Sequence, residues 1–203
     1  MIKVHHLNQS RSLRIIWLLE ELGLPYQVIR HERDAKTRLA PPELLQIHPL
    51  GKSPVIEIDG QVLGESGAIV DYLVAQHGPH LAPAPDADGY LQHLELMHFA
   101  EGSMMTPLLL NLYVGLLGPA GAPLHPRIQS ELFNHFGFLE GIIRPSGHFV
   151  LDDLSAVDIM LSFPLNALSR LEMEATYPRL AAFNAMVQAR PAFQRALTQA
   201  GGD

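Results

Sequence analysis

Two short runs constrain this chain more than any other feature: Gly51-Lys52-Ser53-Pro54-Val55-Ile56, and after it Glu65-Ser66-Gly67-Ala68-Ile69. A proline has no N–H to give to a β-ladder, so Pro54 belongs at the first residue of a strand or on an edge. The residue before it is held extended, and an X–Pro bond is the one place where a cis peptide is cheap. An extended Ser53 beside such a bend turns its own N–H and C=O outward, where another peptide can pair with them as an added strand. Ser66 opens a helix, and a helix N-terminus attracts anions. Together the two runs imply a pocket for a small peptide that carries a carboxylate.

The surrounding pattern supplies a frame for that pocket. Residues 2–7 (Ile-Lys-Val-His-His-Leu) read as a strand, and Asn8 to Ser12 as a polar turn in which Ser10 and Ser12 are both suited to cap a helix. Leu13, Ile16, Trp17 and Leu19 recur at helical spacing up to Gly23, a fitting helix-terminating glycine. Tyr26 to Ile29 reads as a second strand, which makes a βαβ unit with parallel strands and a right-handed crossover. A short helix is predicted from Pro41-Pro42-Glu43-Leu44-Leu45, a third strand over 55–58, a turn at Asp59-Gly60, a return strand over 61–63 and a helix over 65–77. The order β-α-β-α-β-β-α is that of a thioredoxin-like domain.

Residues 78–88 carry three prolines and no periodicity, as a stiff connection does. Beyond them no alternating strand appears. Helices are predicted over 89–117, with a bend near Pro107, and over 127–142, 155–170, 178–188 and 191–199. The 155–170 helix opens on Ser155-Ala156-Val157-Asp158, close to a capping box, and Pro164 inside it predicts a kink or break. The fold class is therefore α/β plus all-α: an N-terminal thioredoxin-like domain (1–78), a linker (79–88) and a C-terminal helical bundle domain (89–203).

Composition narrows the function. The formal charge of −7 argues against a nucleic-acid partner, which calls for a basic stripe. No apolar run of about eighteen residues exists to cross a membrane, and Met1-Ile2-Lys3-Val4 lacks the layout of a signal peptide. The chain has no cysteine, which removes disulfides, thiolate metal sites and cysteine nucleophiles, and with them a dithiol oxidoreductase; it fits a cytoplasmic protein. The eleven histidines are scattered and suggest no metal cluster.

Taken in order, Ser10-Arg11-Ser12 running into Ile15 to Tyr26, then His48-Pro49-Leu50-Gly51-Lys52-Ser53-Pro54, Glu65 to Ile69, and Ser155 to Ile159 resemble the cytosolic glutathione transferases along nearly the whole chain. Within that family the sequence is similar to serine-type bacterial or fungal members: it has no tyrosine in the first strand and turn, and no cysteine near position 10. The resemblance implies a transferase that uses glutathione as co-substrate, with no metal, and adds its thiolate to small hydrophobic electrophiles. Glutathione-dependent peroxide reduction is an accompanying activity the sequence does not separate. A cytoplasmic homodimer acting in detoxification is also implied.

The resemblance also implies a role for each matching residue. Ser10 is the preferred hydroxyl for the thiolate and Ser12 the alternate, although counting back from Leu24-Pro25 without a gap puts the family's serine slot on Gln9. Ser53, before a cis Pro54, docks the cysteinyl backbone. Glu65 and Ser66 hold the γ-glutamyl group. Lys52 reaches for the glycyl carboxylate, with Lys36 and Arg38 as other cations nearby. The electrophile is expected against the helical domain, where His98, Glu101, Ser103, Met104 and Met105 lie on one helix and receive no specific role. The alternative, motivated by the Gln9/Ser10 register, is a glutathione-transferase-like binding or regulatory protein that is catalytically weak.

Overall fold

Alternating and continuous apolar runs become a four-stranded sheet in a computed structural model that describes residues 1–202. Its strands are β1 (Ile2–Leu7), β2 (Tyr26–His31), β3 (Val55–Ile58) and β4 (Gln61–Gly64), in the order β2-β1-β3-β4. β2 runs parallel to β1 in register Ile2↔Tyr26 through Leu7↔His31, two residues further than the sequence suggested. β3 is antiparallel to β1, with His5 opposite Val55, and β4 is antiparallel to β3, with Val55 opposite Gly64. The β3–β4 turn has positive φ at both Asp59 (49°) and Gly60 (77°), the conformation that suits a two-residue hairpin.

The helices of this unit are α1 (Ser12–Leu22), the short α2 (Leu44–Ile47) and α3 (Ser66–His77). α1 buries Ile15, Ile16, Trp17, Leu18 and Leu19, packs on β1 and α3, and ends at Gly23 with φ 62°, a left-handed cap that Gly adopts freely.

The chain divides into two compact units, Met1–Pro79 together with the segment from Val187 onward, and His80–Met186. The sequence assigned everything from 89 on to the helical domain. The terminal helix instead groups with the sheet-bearing unit because of its contacts with α1 and β2. Phe193 meets Trp17 edge-on at 5.2 Å. Arg190 makes a two-pronged pair with Glu21 at 2.7 and 3.0 Å, Arg195 reaches Glu20 at 2.6 Å, and Arg30 caps the helix through the carbonyl of Gln199 at 2.7 Å.

In the second unit the chain forms α4 (Tyr90–Gly102), α5 (Met105–Gly115), a 3-10 stretch (Gly118–Leu124), α6 (His125–Ile142), α7 (Ala156–Leu165) and α8 (Ala167–Arg170). α9 (Pro178–Gln188) follows, and α10 (Pro191–Ala200) is the terminal helix just described. In place of the expected bend at Pro107 there is a break at Ser103 and Met104, directly before α5: Pro107 sits in that helix's first turn, where a missing N–H costs nothing. Pro164 lies at the end of α7, and a new short helix starts after Asn166. Phe136, Leu139, Phe149, Ile159, Leu161 and Phe183 form the core, with Phe149 and Phe183 edge-on at 5.1 Å.

Candidate active site

The register of the sheet brings the sequence-selected segments of the first unit to one end of it. β1 ends at Leu7 and runs into the Asn8–Arg11 turn. Because β3 is antiparallel to β1 with His5 opposite Val55, β3 begins where β1 ends, and Ser53-Pro54 lies beside the turn. β4 ends at Gly64, opposite Val55, so Glu65 and the start of α3 come to the same end. The Ser53–Pro54 peptide is cis. Ser53 Oγ donates to the carbonyl of His5 at 2.8 Å, which fixes the Ser53 side chain on β1.

Ser10 and Ser12 form a hydroxyl pair at 2.7 Å. Neither occupies the cap of α1, which falls on Arg11, but Ser10 Oγ does accept the N–H of Ser12 at 3.3 Å. Ser12 has no exposed surface and Ser10 keeps 7%. Behind them, His6 Nδ1 is 2.9 Å from Ser12 Oγ. Gln9 is exposed and has φ 51°. Its side-chain oxygen accepts from Arg38, and Arg33 donates to the carbonyls of Asn8 (3.1 Å) and Gln9 (3.4 Å). The turn is thus held in place by two arginines from the segment after β2.

The start of α3 is open. Its cap residue, Glu65, has φ 62° and ψ 113°, makes no capping hydrogen bond with its side chain and is exposed. Ser66 is buried, and its hydroxyl accepts from the guanidinium of Arg14. Lys52 and Arg38 are exposed. A chain of charge −7 therefore brings Arg14, Arg33, Arg38 and Lys52 to the segments around this end of its sheet, as suits an anionic ligand.

The family model described as glutathione S-transferase, N-terminal domain, matches residues 1–75. Glutathione S-transferase 1 of Saccharomyces cerevisiae is 37% identical over 81% of this chain and 80% of its own length. Glutathione S-transferase 3 of Schizosaccharomyces pombe is 32% identical over 95% and 85%. The chain belongs to the glutathione S-transferase family. Among solved structures, a glutathione S-transferase of Actinobacillus pleuropneumoniae superposes with a TM-score of 0.90 at 30% identity, over 100% of this chain and 94% of that one. The expected fold, a thioredoxin-like domain with helices following it, is that of this family, and the expected enzyme class is the one these relatives carry.

Within this glutathione S-transferase fold, Gln9, Ser10, Ser12, Ser53, Glu65 and Ser66 all come to the C-terminal end of β1, with Lys52 next to Ser53. In the helical unit, Met104 and Met105 are buried and His98 is exposed. Among the described residues no group of three or more His, Asp or Glu is arranged to hold a metal ion. Sequence reasoning missed Arg14 and His6. Arg14 had a legible signal: a charged residue inside the apolar stripe of α1, 2% exposed, which has to meet a polar partner. His6 had none beyond its place on a central strand.

Proposed function

We propose that the protein is a glutathione transferase that adds the glutathione thiolate to small hydrophobic electrophiles. The observation that carries this reading is the convergence, at one end of the sheet, of a buried hydroxyl pair, a cis Ser53–Pro54 and an open helix start. In it, Ser53 pairs with the cysteinyl backbone as an added strand. The N–H groups at the start of α3 and the Ser66 hydroxyl take the γ-glutamyl carboxylate. The buried Arg14 behind Ser66 adds positive charge there. Glu65 pairs with the α-amine, and Lys52 with the glycyl carboxylate.

The chemistry required is ionisation. A free thiol has a pKa of about 8.5, so only a few per cent is thiolate at neutral pH. A hydroxyl that donates to the sulfur favours the charged form, and the adjoining helix start adds to the effect. Ser10 takes this role: it retains exposed surface, whereas Ser12 has none and Gln9 is engaged with Arg38. Peroxide reduction by the same thiolate, a two-fold homodimer and a cytoplasmic, detoxifying role belong to this reading.

A second reading, glutathione binding with little turnover, draws on the bond that joins the Ser10 hydroxyl to Ser12 rather than leaving it free. Calorimetry with glutathione and turnover assays with chlorodinitrobenzene and cumene hydroperoxide separate the two. Conjugation is expected, with Ser10→Ala lowering kcat/KM about tenfold, the worth of one hydrogen bond to a charged group. Binding without turnover of any electrophile or peroxide would favour the second reading, and no affinity at millimolar glutathione would end both.

A further inference from the structure

We propose that His6 is a positioning residue that, through Ser12, fixes the Ser10 hydroxyl as a donor toward the thiol sulfur. The inference rests on the reading that Ser10 meets that sulfur.

A serine hydroxyl has one proton to give and two lone pairs to offer. Ser12 Oγ accepts the N–H of Leu7 at 3.3 Å, which occupies one lone pair. One lone pair and one proton remain, and two partners face them: Ser10 Oγ at 2.7 Å and His6 Nδ1 at 2.9 Å. The carbonyl of Leu7, at 3.4 Å, is a longer third choice for the proton.

The two tautomers of His6 give opposite results. With a proton on Nδ1, the ring donates to Ser12, and Ser12 passes its own proton toward Ser10. Ser10 Oγ already accepts the N–H of Ser12 at 3.3 Å, so both of its lone pairs are filled and its proton can only point out of the cluster. With Nδ1 bare, Ser12 gives its proton to the ring and Ser10 gives its proton to Ser12. Ser10 then turns a lone pair outward, and a thiolate beside it is repelled. The first arrangement stabilises the thiolate and the second opposes it. His6 and Ser12 are 1% and 0% exposed, so bulk water does not scramble the direction, and hydrogen bonds in such a chain strengthen one another.

The test compares the apparent pKa of bound glutathione, read from thiolate absorbance, in the wild type, Ser10→Ala, His6→Leu, His6→Asn and the His6→Leu/Ser10→Ala double variant. His6→Leu is expected to raise the thiol pKa by about one unit and lower kcat/KM about tenfold, with glutathione affinity for the neutral thiol unchanged. His6→Asn, whose amide N–H falls near the position of Nδ1, should restore most of the loss. In the Ser10→Ala background His6→Leu should have no further effect, the signature of two residues acting through one path. The ¹⁵N spectrum of His6 in the wild-type glutathione complex provides a reading that requires no variant to fold, and Nδ1 should carry the proton.

A bare Nδ1 in that complex overturns the proposal. So does an equal His6→Leu effect in the absence of the Ser10 hydroxyl, or a shift with Ser10→Ala and none with His6→Leu. If Ser10→Ala leaves the thiol pKa in place, the reading of Ser10 fails first and this inference goes with it.

Discussion

Two helices begin on a serine beside an acidic residue, and the structure treats them in opposite ways. At α7 the start is closed. Ser155 Oγ accepts the N–H of Asp158 at 3.4 Å, while the Asp158 carboxylate takes the N–H of Ser155 at 2.7 Å and its hydroxyl at 2.8 Å. The same carboxylate takes the N–H of Phe149 at 3.1 Å and lies 3.2 Å from His148 Nδ1. Ser155 and Asp158 have no exposed surface. At α3 the start is open: Glu65 makes no cap, is exposed and has φ 62°. A helix start that satisfies its own donors holds the fold together, and one that leaves them unspent is available to a ligand.

Asp158→Ala strikes the closed start directly. It strands the buried N–H groups of Ser155 and Phe149, each worth about 1–3 kcal/mol, so unfolding free energy should fall by about 3 kcal/mol in denaturant titrations. The protein that remains folded should bind glutathione as before. A weakened affinity at full occupancy of the folded state would mean that the closed start also serves the ligand.

Ser66→Ala attacks the open start. It removes one acceptor from the buried Arg14 and, on the proposed reading, one donor from the ligand. Stability should fall by about 1 kcal/mol and the Kd for glutathione should rise about tenfold, as calorimetry would read it. Glu65→Gly is the more telling companion. A φ of 62° with ψ 113° costs a non-glycine residue about 1 kcal/mol or more. Glycine should therefore raise stability by about 1 kcal/mol while weakening glutathione, since on the proposed reading the amine loses its carboxylate. A variant that loses both stability and affinity would show that Glu65 serves the fold.

The sequence disclosed these two starts unevenly, for physical reasons. The strands of the sheet, the hairpin at Asp59-Gly60, the glycine after α1 and the capping box at Ser155 are written in local periodicity and turn chemistry, and they appear where expected. The grouping of α10 with the sheet-bearing unit is not local: it depends on Arg190 and Arg195 finding Glu21 and Glu20 about 170 residues away. The Ser10–Ser12–His6 cluster was legible in part: Ser10 and Ser12 stand out as hydroxyls in the turn before α1, whereas the bond from Ser12 to His6 depends on how that turn folds back on the end of β1. The break between α4 and α5 escaped because Pro107 marks a helix's first turn as readily as its bend.

A closed network on the same sheet carries the contrast to a smaller effect. His5 Nδ1 and His31 Nε2 are 3.1 Å apart, His5 Nε2 is 2.8 Å from Glu57, and Lys3 reaches the other Glu57 oxygen at 3.1 Å. One proton serves the bond between the rings, and a second would break it. Burial holds the His31 pKa below the usual histidine value; the neighbouring His5 and His6 lower it further and Glu43 works against them. Glu57 is held below the ordinary carboxylate range by its hydrogen bonds to His5 and then Lys3. For His31, a lowered folded-state pKa means that its contribution is complete above the unfolded value, about 6.5. It is lost as pH falls from there through the folded value. Glu57 loses its share only at more acidic pH. Wild type minus His31→Gln should therefore show a stability difference that shrinks below about pH 6.5, by less than about 1 kcal/mol because His31 is partly exposed. Glutathione affinity should be the same in both proteins across that range. A difference that grows on acidification would reverse the sign argued for His31, and an affinity change would place this network with the open helix start rather than with the closed one.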